Sequence, residues 1–65
     1  MNRISLGQLS NCTWYVMNIV VTDEKENILY DGYNSGLQSE IYKPLLNKWV
    51  RSVGFIDGKM VIRVI

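Results

Sequence analysis

The sequence predicts a small single-domain α+β fold over residues 1–65. It has an antiparallel sheet of four or five strands, arranged as two hairpins, with one short helix between them packed on one face. Three observations predict it. A β-branched and aromatic run at 13–22 is followed by the most polar stretch of the chain and then by a second apolar run. Apolar residues recur at helical spacing between 37 and 49. An Asp-Gly pair at 57–58 sits between two apolar runs.

"TWYVMNIVVT" (13–22) reads as a strand because its residues favour the pleated conformation and nothing in it breaks one. Both of its faces are largely apolar, Tyr15, Met17, Ile19 and Val21 on one and Trp14, Val16, Asn18, Val20 and Thr22 on the other. An antiparallel strand with one wet face alternates more cleanly. This strand is therefore central and covered on both sides, or part of an interface. "DEKEN" (23–27) reads as an exposed turn. "ILYDGY" (28–33) reads as the return strand, with Asp31-Gly32 ending it or introducing a bulge. Residues 1–10 are either a short edge strand, suggested by the alternation of Ile4 and Leu6 and broken by Gly7, or poorly ordered.

The helix is expected within "LQSEIYKPLLNKW", where Leu37, Ile41, Leu45 and Trp49 recur at i+4. Ser35 with Gln38 has the spacing of a capping box, and Ser39 is a second candidate cap. Pro44 restricts this segment to a short helix, a kinked one, or two single turns. Its apolar residues Ile41, Leu45, Leu46 and Trp49 are expected against Tyr15, Ile19, Phe55 and Ile62.

"VRSVGFIDGKMVIRVI" (50–65) has two readings, the end of that helix or a hairpin. The hairpin is preferred. Asp-Gly suits a two-residue turn in which both centres need φ > 0, and Val50, Val53, Phe55 and Ile56 favour strands. The implied register pairs Ile56 with Lys59, Phe55 with Met60, Val53 with Ile62 and Arg51 with Val64.

A chain of this length buries only about 60% of its unfolded surface, so it needs a dense core or self-association. The 48% hydrophobic content favours a folded domain. The single cysteine, Cys12, allows no intramolecular disulfide, and the absence of histidine removes the common zinc ligand sets. No cofactor or metal is expected. Without histidine there is no Ser-His-Asp or Cys-His pair, and Asn11 and Thr13 give Cys12 no activating base. Asp23, Glu24 and Glu26 read as a solvated turn, and Gly32 and Gly36 as turn residues without phosphate-loop spacing. No apolar run approaches the roughly 18 residues of a membrane helix, so no membrane partner is expected. The lone cysteine and the lack of a signal-like N-terminus predict a cytoplasmic protein.

A non-enzymatic protein-interaction module is the function this pattern suggests, of accessory or inhibitor type as in bacteria or mobile elements by fold-level analogy. It would bind itself, as a homodimer, or a larger protein. Two tryptophans and four tyrosines are many for so small a core. They are either core and core-edge residues or an exposed patch, with Trp14, Tyr30, Tyr33 and Trp49 as the candidates. Charge is uneven along the chain. Residues 41–65 hold Lys43, Lys48, Arg51, Lys59 and Arg63 against Asp57, while most acids lie in 1–40. Either this charge mixes on folding, or Lys48, Arg51, Lys59 and Arg63 form a basic sheet face. The alternative function is then nucleic-acid binding, with bases stacked on aromatics.

Overall fold

The computed structural model describes residues 3–65. A helix, α1 (Leu6–Asn11), precedes a first hairpin of β1 (Asn18–Thr22) and β2 (Ile28–Tyr33). Two consecutive 3-10 helices (Asn34–Gln38 and Glu40–Asn47) lead to a second hairpin of β3 (Val50–Ile56) and β4 (Lys59–Val64). The four strands form one sheet in the order β2-β1-β4-β3. The helical segments cover one face of it.

The sheet is mixed rather than antiparallel. Each hairpin is antiparallel internally, but β1 and β4 run parallel, with Ile19 opposite Met60 and Val21 opposite Ile62. The helical crossover brings the second hairpin back beside the first, and burial decides which of its strands lies inside. In β4, Met60, Ile62 and Val64 are buried and Val61 half-buried, whereas β3 carries Arg51, Ser52 and Gly54. The two strands with the most apolar faces therefore take the centre.

The hairpin reading of 50–65 is correct. Asp57 and Gly58 have φ of 52° and 78°, the combination a two-residue turn requires. The expected register holds from Ile56–Lys59 to Val53–Ile62. It holds one pair further, with Ser52 opposite Arg63, and slips only after that: Val50, not Arg51, faces Val64. Arg51 is the extra residue of a bulge, and the slip turns Val50 onto the buried side against the core. In the first hairpin the irregularity lies near Thr22, which faces Ile28, and not at Asp31-Gly32, which pair regularly with Val20 and Ile19.

Three further expectations are corrected. The strand expected over 13–22 begins only at Asn18. Residues 13–17 form a loop closed by Met17 N–H donating to Trp14 C=O at 3.1 Å. Residues 6–11 are helical, not an edge strand. Ser5 caps α1 through a full capping box, Gln8 N–H to Ser5 Oγ at 3.1 Å and Ser5 N–H to Gln8 Oε1 at 2.9 Å. Of the expected edge strand only a bridge survives, Ser5 opposite Trp49. Residues 1 and 2 of that segment lie outside the described residues.

The segment containing Pro44 forms two 3-10 helices separated by extended Ser39, and no α-helix. In a 3-10 helix, i and i+3 share a face. Tyr42 and Leu45 therefore turn inward with Leu46, while Ile41 is 81% exposed, contrary to the i+4 expectation. Neither candidate cap bonds through its side chain; Gln38 donates instead to Ser10 Oγ at 3.1 Å.

The core consists of Leu6, Ile19, Val21, Tyr30, Leu37, Met60, Ile62 and Val64. Leu45 and Leu46 pack against it as expected, but Tyr15 and Phe55 do not; both are exposed, and Trp49 is largely so. Beside the core lies a buried polar node. Asn34 Nδ2 donates to the carbonyls of Ser10 at 3.0 Å, Thr13 at 2.9 Å and Trp14 at 3.2 Å, and its Oδ1 accepts from Ser10 Oγ at 2.6 Å. Gly36 abuts Tyr30; a Cβ there would overlap the Tyr30 hydroxyl.

Two stability predictions follow from this packing. Asn34→Ala leaves the Thr13 carbonyl without its partner and takes the acceptor from the Ser10 hydroxyl. It also removes one donor each from the Ser10 and Trp14 carbonyls, which keep Thr13 N–H and Met17 N–H. It should cost about 1–3 kcal/mol in urea unfolding. That is a large fraction of the roughly 3–10 kcal/mol expected for a domain of this length. Gly36→Ala should also lower the unfolding midpoint, and Tyr30→Phe in the same chain should recover part of the loss by removing the overlapping oxygen.

Candidate interaction surface

The topology sorts the predicted site residues to different places. Since β1 runs parallel to β4, the loop preceding β1 lies at the end of the sheet where β4 begins, beside the Asp57-Gly58 turn. Trp14, Tyr15 and Val16 project there, all exposed, with Trp14 at 75%. Tyr33, the exposed last residue of β2, pairs with Asn18 at the same end. Backbone bonds hold this loop: Asn34 N–H donates to Met17 C=O at 2.9 Å and Ser35 N–H to Tyr15 C=O at 3.0 Å.

Tyr30 does not belong to the patch. Only 8% of it is exposed. Its hydroxyl donates to the Tyr33 carbonyl, and its ring meets Tyr42 edge-on at 4.7 Å between centroids. Burial, then Tyr42 and Asp31, raise its phenol above the usual 10.0, so it stays a donor at neutral pH. Trp49 is exposed but lies at the opposite end of the sheet, where its carbonyl accepts from Ile65 N–H at 3.0 Å. The four aromatic candidates thus resolve into a pair at one end, one core residue and one distant residue.

The basic candidates also separate. Lys59 and Arg63 project from β4 onto the uncovered face, where each meets an acid of the first hairpin. Arg63 Nη2 lies 3.0 Å from Glu26 Oε1, and Lys59 Nζ 3.7 Å from Asp31 Oδ1. The uneven charge of the chain is thus partly mixed by folding. Both pairs are surface-exposed and contribute little stability. Arg51 lines an open groove of about 350 Å³ with Arg3, Trp49, Val50 and Ile65. Lys48 borders a second groove beside Asp23, Glu24 and Lys25.

The turn at 23–27 is organised by Asp23. Its Oδ1 accepts from Lys25 N–H at 2.8 Å and Asn27 N–H at 2.9 Å, and its Oδ2 from Asn27 Nδ2 at 3.0 Å. The Asn27 side chain, then its backbone N–H, hold the carboxyl below the usual 3.8. This cluster spends its carboxylate on its own backbone. Among the described residues no group of three metal-ligating side chains converges, and no helix is long and apolar enough to cross a membrane.

Sequence reasoning found strand β3 but missed its exposure. Val53 and Phe55 lie on the helical side of the sheet, opposite Ile62 and Met60, yet the helical layer does not reach them. Phe55 is 66% exposed, and Ile56 is exposed on the other face. The available signal was polarity: Arg51, Ser52 and Gly54 mark β3 as the outer strand of its hairpin.

No family model matches the chain, and no curated protein or solved structure is significantly similar to it.

Trp14→Ala should change stability by no more than about 0.5 kcal/mol, whereas Tyr30→Ala should cost about 3–5 kcal/mol, compared by thermal unfolding. Titrating the side chain of Asp23 by NMR should give a midpoint below the usual 3.8. The depressed value means that its contribution to the turn is present above the ordinary carboxyl pKa and is lost as pH falls through the folded-state value.

Proposed function

We propose that this chain is a small protein-interaction module, non-enzymatic and cytoplasmic, that binds another polypeptide through β3 and the adjoining turn end of the sheet. The observation that carries this reading is the exposed apolar edge strand, with Val53, Phe55 and Ile56 presented to solvent. Such an edge is an open template for another strand, and soluble proteins ordinarily blunt it. Here Arg51 and its bulge, with the Ile4–Leu6 segment, protect its start, and the stretch from Ser52 to Ile56 is open among the described residues. Trp14, Tyr15 and Tyr33 add exposed aromatic area at the same end, of the kind that anchors protein interfaces. The chain's chemistry supports binding over catalysis, because it has no histidine and the neighbours of Cys12, Asn11 and Thr13, offer it no activating base. An accessory or inhibitor role fits a domain that offers a surface and little else.

A photo-crosslinking residue at position 55 should capture a polypeptide in expressing cells, either a second copy of the chain or another protein. The same residue at position 41, an exposed apolar site in the 3-10 layer, should capture far less. Equal capture at both positions, or none at 55, would reject β3 as the contact surface.

Nucleic-acid binding is the weaker reading, since Lys59 and Arg63 already face Asp31 and Glu26. Its support is the groove that brings Arg3 and Arg51 beside Trp49. Titration of a labelled single-stranded oligonucleotide at low salt should show no saturable binding. Binding that weakens as salt rises would favour this reading, because phosphate contacts have that signature.

A further inference from the structure

We infer that the partner of β3 is a second copy of β3, paired antiparallel about a two-fold axis through Gly54. This rests on the proposal that β3 is the contact strand, and it goes further by naming the occupant and the register. Ile56 and Lys59 flank a two-residue turn and so exchange hydrogen bonds across the hairpin. Alternation from Ile56 then aims the N–H and C=O groups of Phe55 and Val53 away from β4, toward the outer edge. Nearer the start of β3 that edge is occupied: Val50 N–H donates to Ile4 C=O at 2.9 Å, and Leu6 N–H to Lys48 C=O at 2.8 Å. The open stretch is therefore Ser52–Ile56, and its midpoint is Gly54.

A two-fold axis at Gly54 sets Val53 of each copy opposite Phe55 of the other. All four outward backbone groups of each strand are then satisfied, and four exposed apolar side chains cover one another on the helical side. Centring on Val53 instead would place Ile56 against Val50, whose N–H already serves Ile4. Centring on Phe55 would leave Val53 unpaired. Charge agrees with the Gly54 register. One step beyond the paired stretch, Arg51 of each copy comes beside Asp57 of the other, and neither makes an ion pair within its own chain among the described residues. The two glycines meet on the uncovered face, where a Cβ on Gly54 would touch nothing. The result is a continuous eight-stranded sheet with isologous contacts, the commonest dimer symmetry.

The test is sedimentation equilibrium of the full chain over a concentration series reaching about 1 mM, a range that detects weak association. The apparent mass should climb toward twice that of the chain. Phe55→Lys should hold it at the monomer value with an unchanged circular dichroism spectrum. Arg51→Gln and Asp57→Asn should each weaken association several-fold, and the two together should add little further loss. In a Cys12→Ser background, Gly54→Cys should oxidise to a disulfide-linked dimer, because opposed residues of a non-hydrogen-bonded pair lie about 4.5 Å apart, within disulfide reach. A monomer at every concentration overturns the second copy as partner; capture of a different protein at position 55 would then leave the interaction module standing. A dimer that tolerates Phe55→Lys, or that fails to cross-link through position 54, overturns this register.

Discussion

The buried side chain of Asn34 is the constraint on which the rest of the fold depends. One amide bonds the end of α1, the loop before β1 and, through Ser10, Gln38 of the first 3-10 helix. Those segments join the regular elements, and the Thr13 carbonyl has its hydrogen bond from Asn34 alone, while those of Ser10 and Trp14 also accept from Thr13 N–H and Met17 N–H. Asn34 is 1% exposed, and among the described residues no buried side-chain polar atom lacks a partner. A fully satisfied polar node specifies one arrangement, since any shift of a participating segment orphans a group in a dry place. It fixes where β1 begins, and so sets Trp14, Tyr15 and Val16 outside the sheet rather than within it.

The second constraint is the size of the helical layer. Six residues of α-helix and two short 3-10 helices cover β1, β4 and Tyr30 of β2, and no more. Gly7 lets α1 sit directly on Leu46, where a Cβ would come within 3.2 Å of the Leu46 carbonyl. The layer is dense but narrow. Beyond Val50, which packs against the core, strand β3 is exposed from Arg51 to Ile56, held to the domain by its ladder to β4 and, next to its start, by the bridge of Trp49 to Ser5. The apolar surface proposed as a contact site is thus the direct result of a four-stranded sheet under a lid that spans fewer strands.

Much of this was legible in the residues. Asp57-Gly58 announced the second hairpin because few residues other than glycine and short polar ones accept the backbone its turn needs. The polar stretch 23–27 announced the first turn, and Pro44 announced that no long regular helix forms there, although the break falls at Ser39 and Pro44 lies within the second 3-10 helix. The capping box at Ser5 and Gln8 was equally readable, but the alternation of Ile4 and Leu6 competed with it. The site was less legible. Tyr30 and Tyr33 lie three residues apart on one strand, and their burial differs because their side chains leave opposite faces. The i+4 spacing of 37–49 points Ile41 inward, whereas a 3-10 segment turns Tyr42 and Leu45 inward instead, and Phe55 lies beyond the reach of that layer.

The sequence by itself determined the local elements: two hairpins, their turns, a short helical crossover and a chain with few groups suited to catalysis. These depend on backbone preferences and alternation, which act over a few residues. Only the tertiary structure decided that β1 and β4 pair in parallel, that acids of the first hairpin meet cations of the second, and that β3 is left at the edge. Such outcomes depend on which strand buries more apolar surface once both hairpins meet. That comparison is made between segments distant in the chain, and no local pattern contains it.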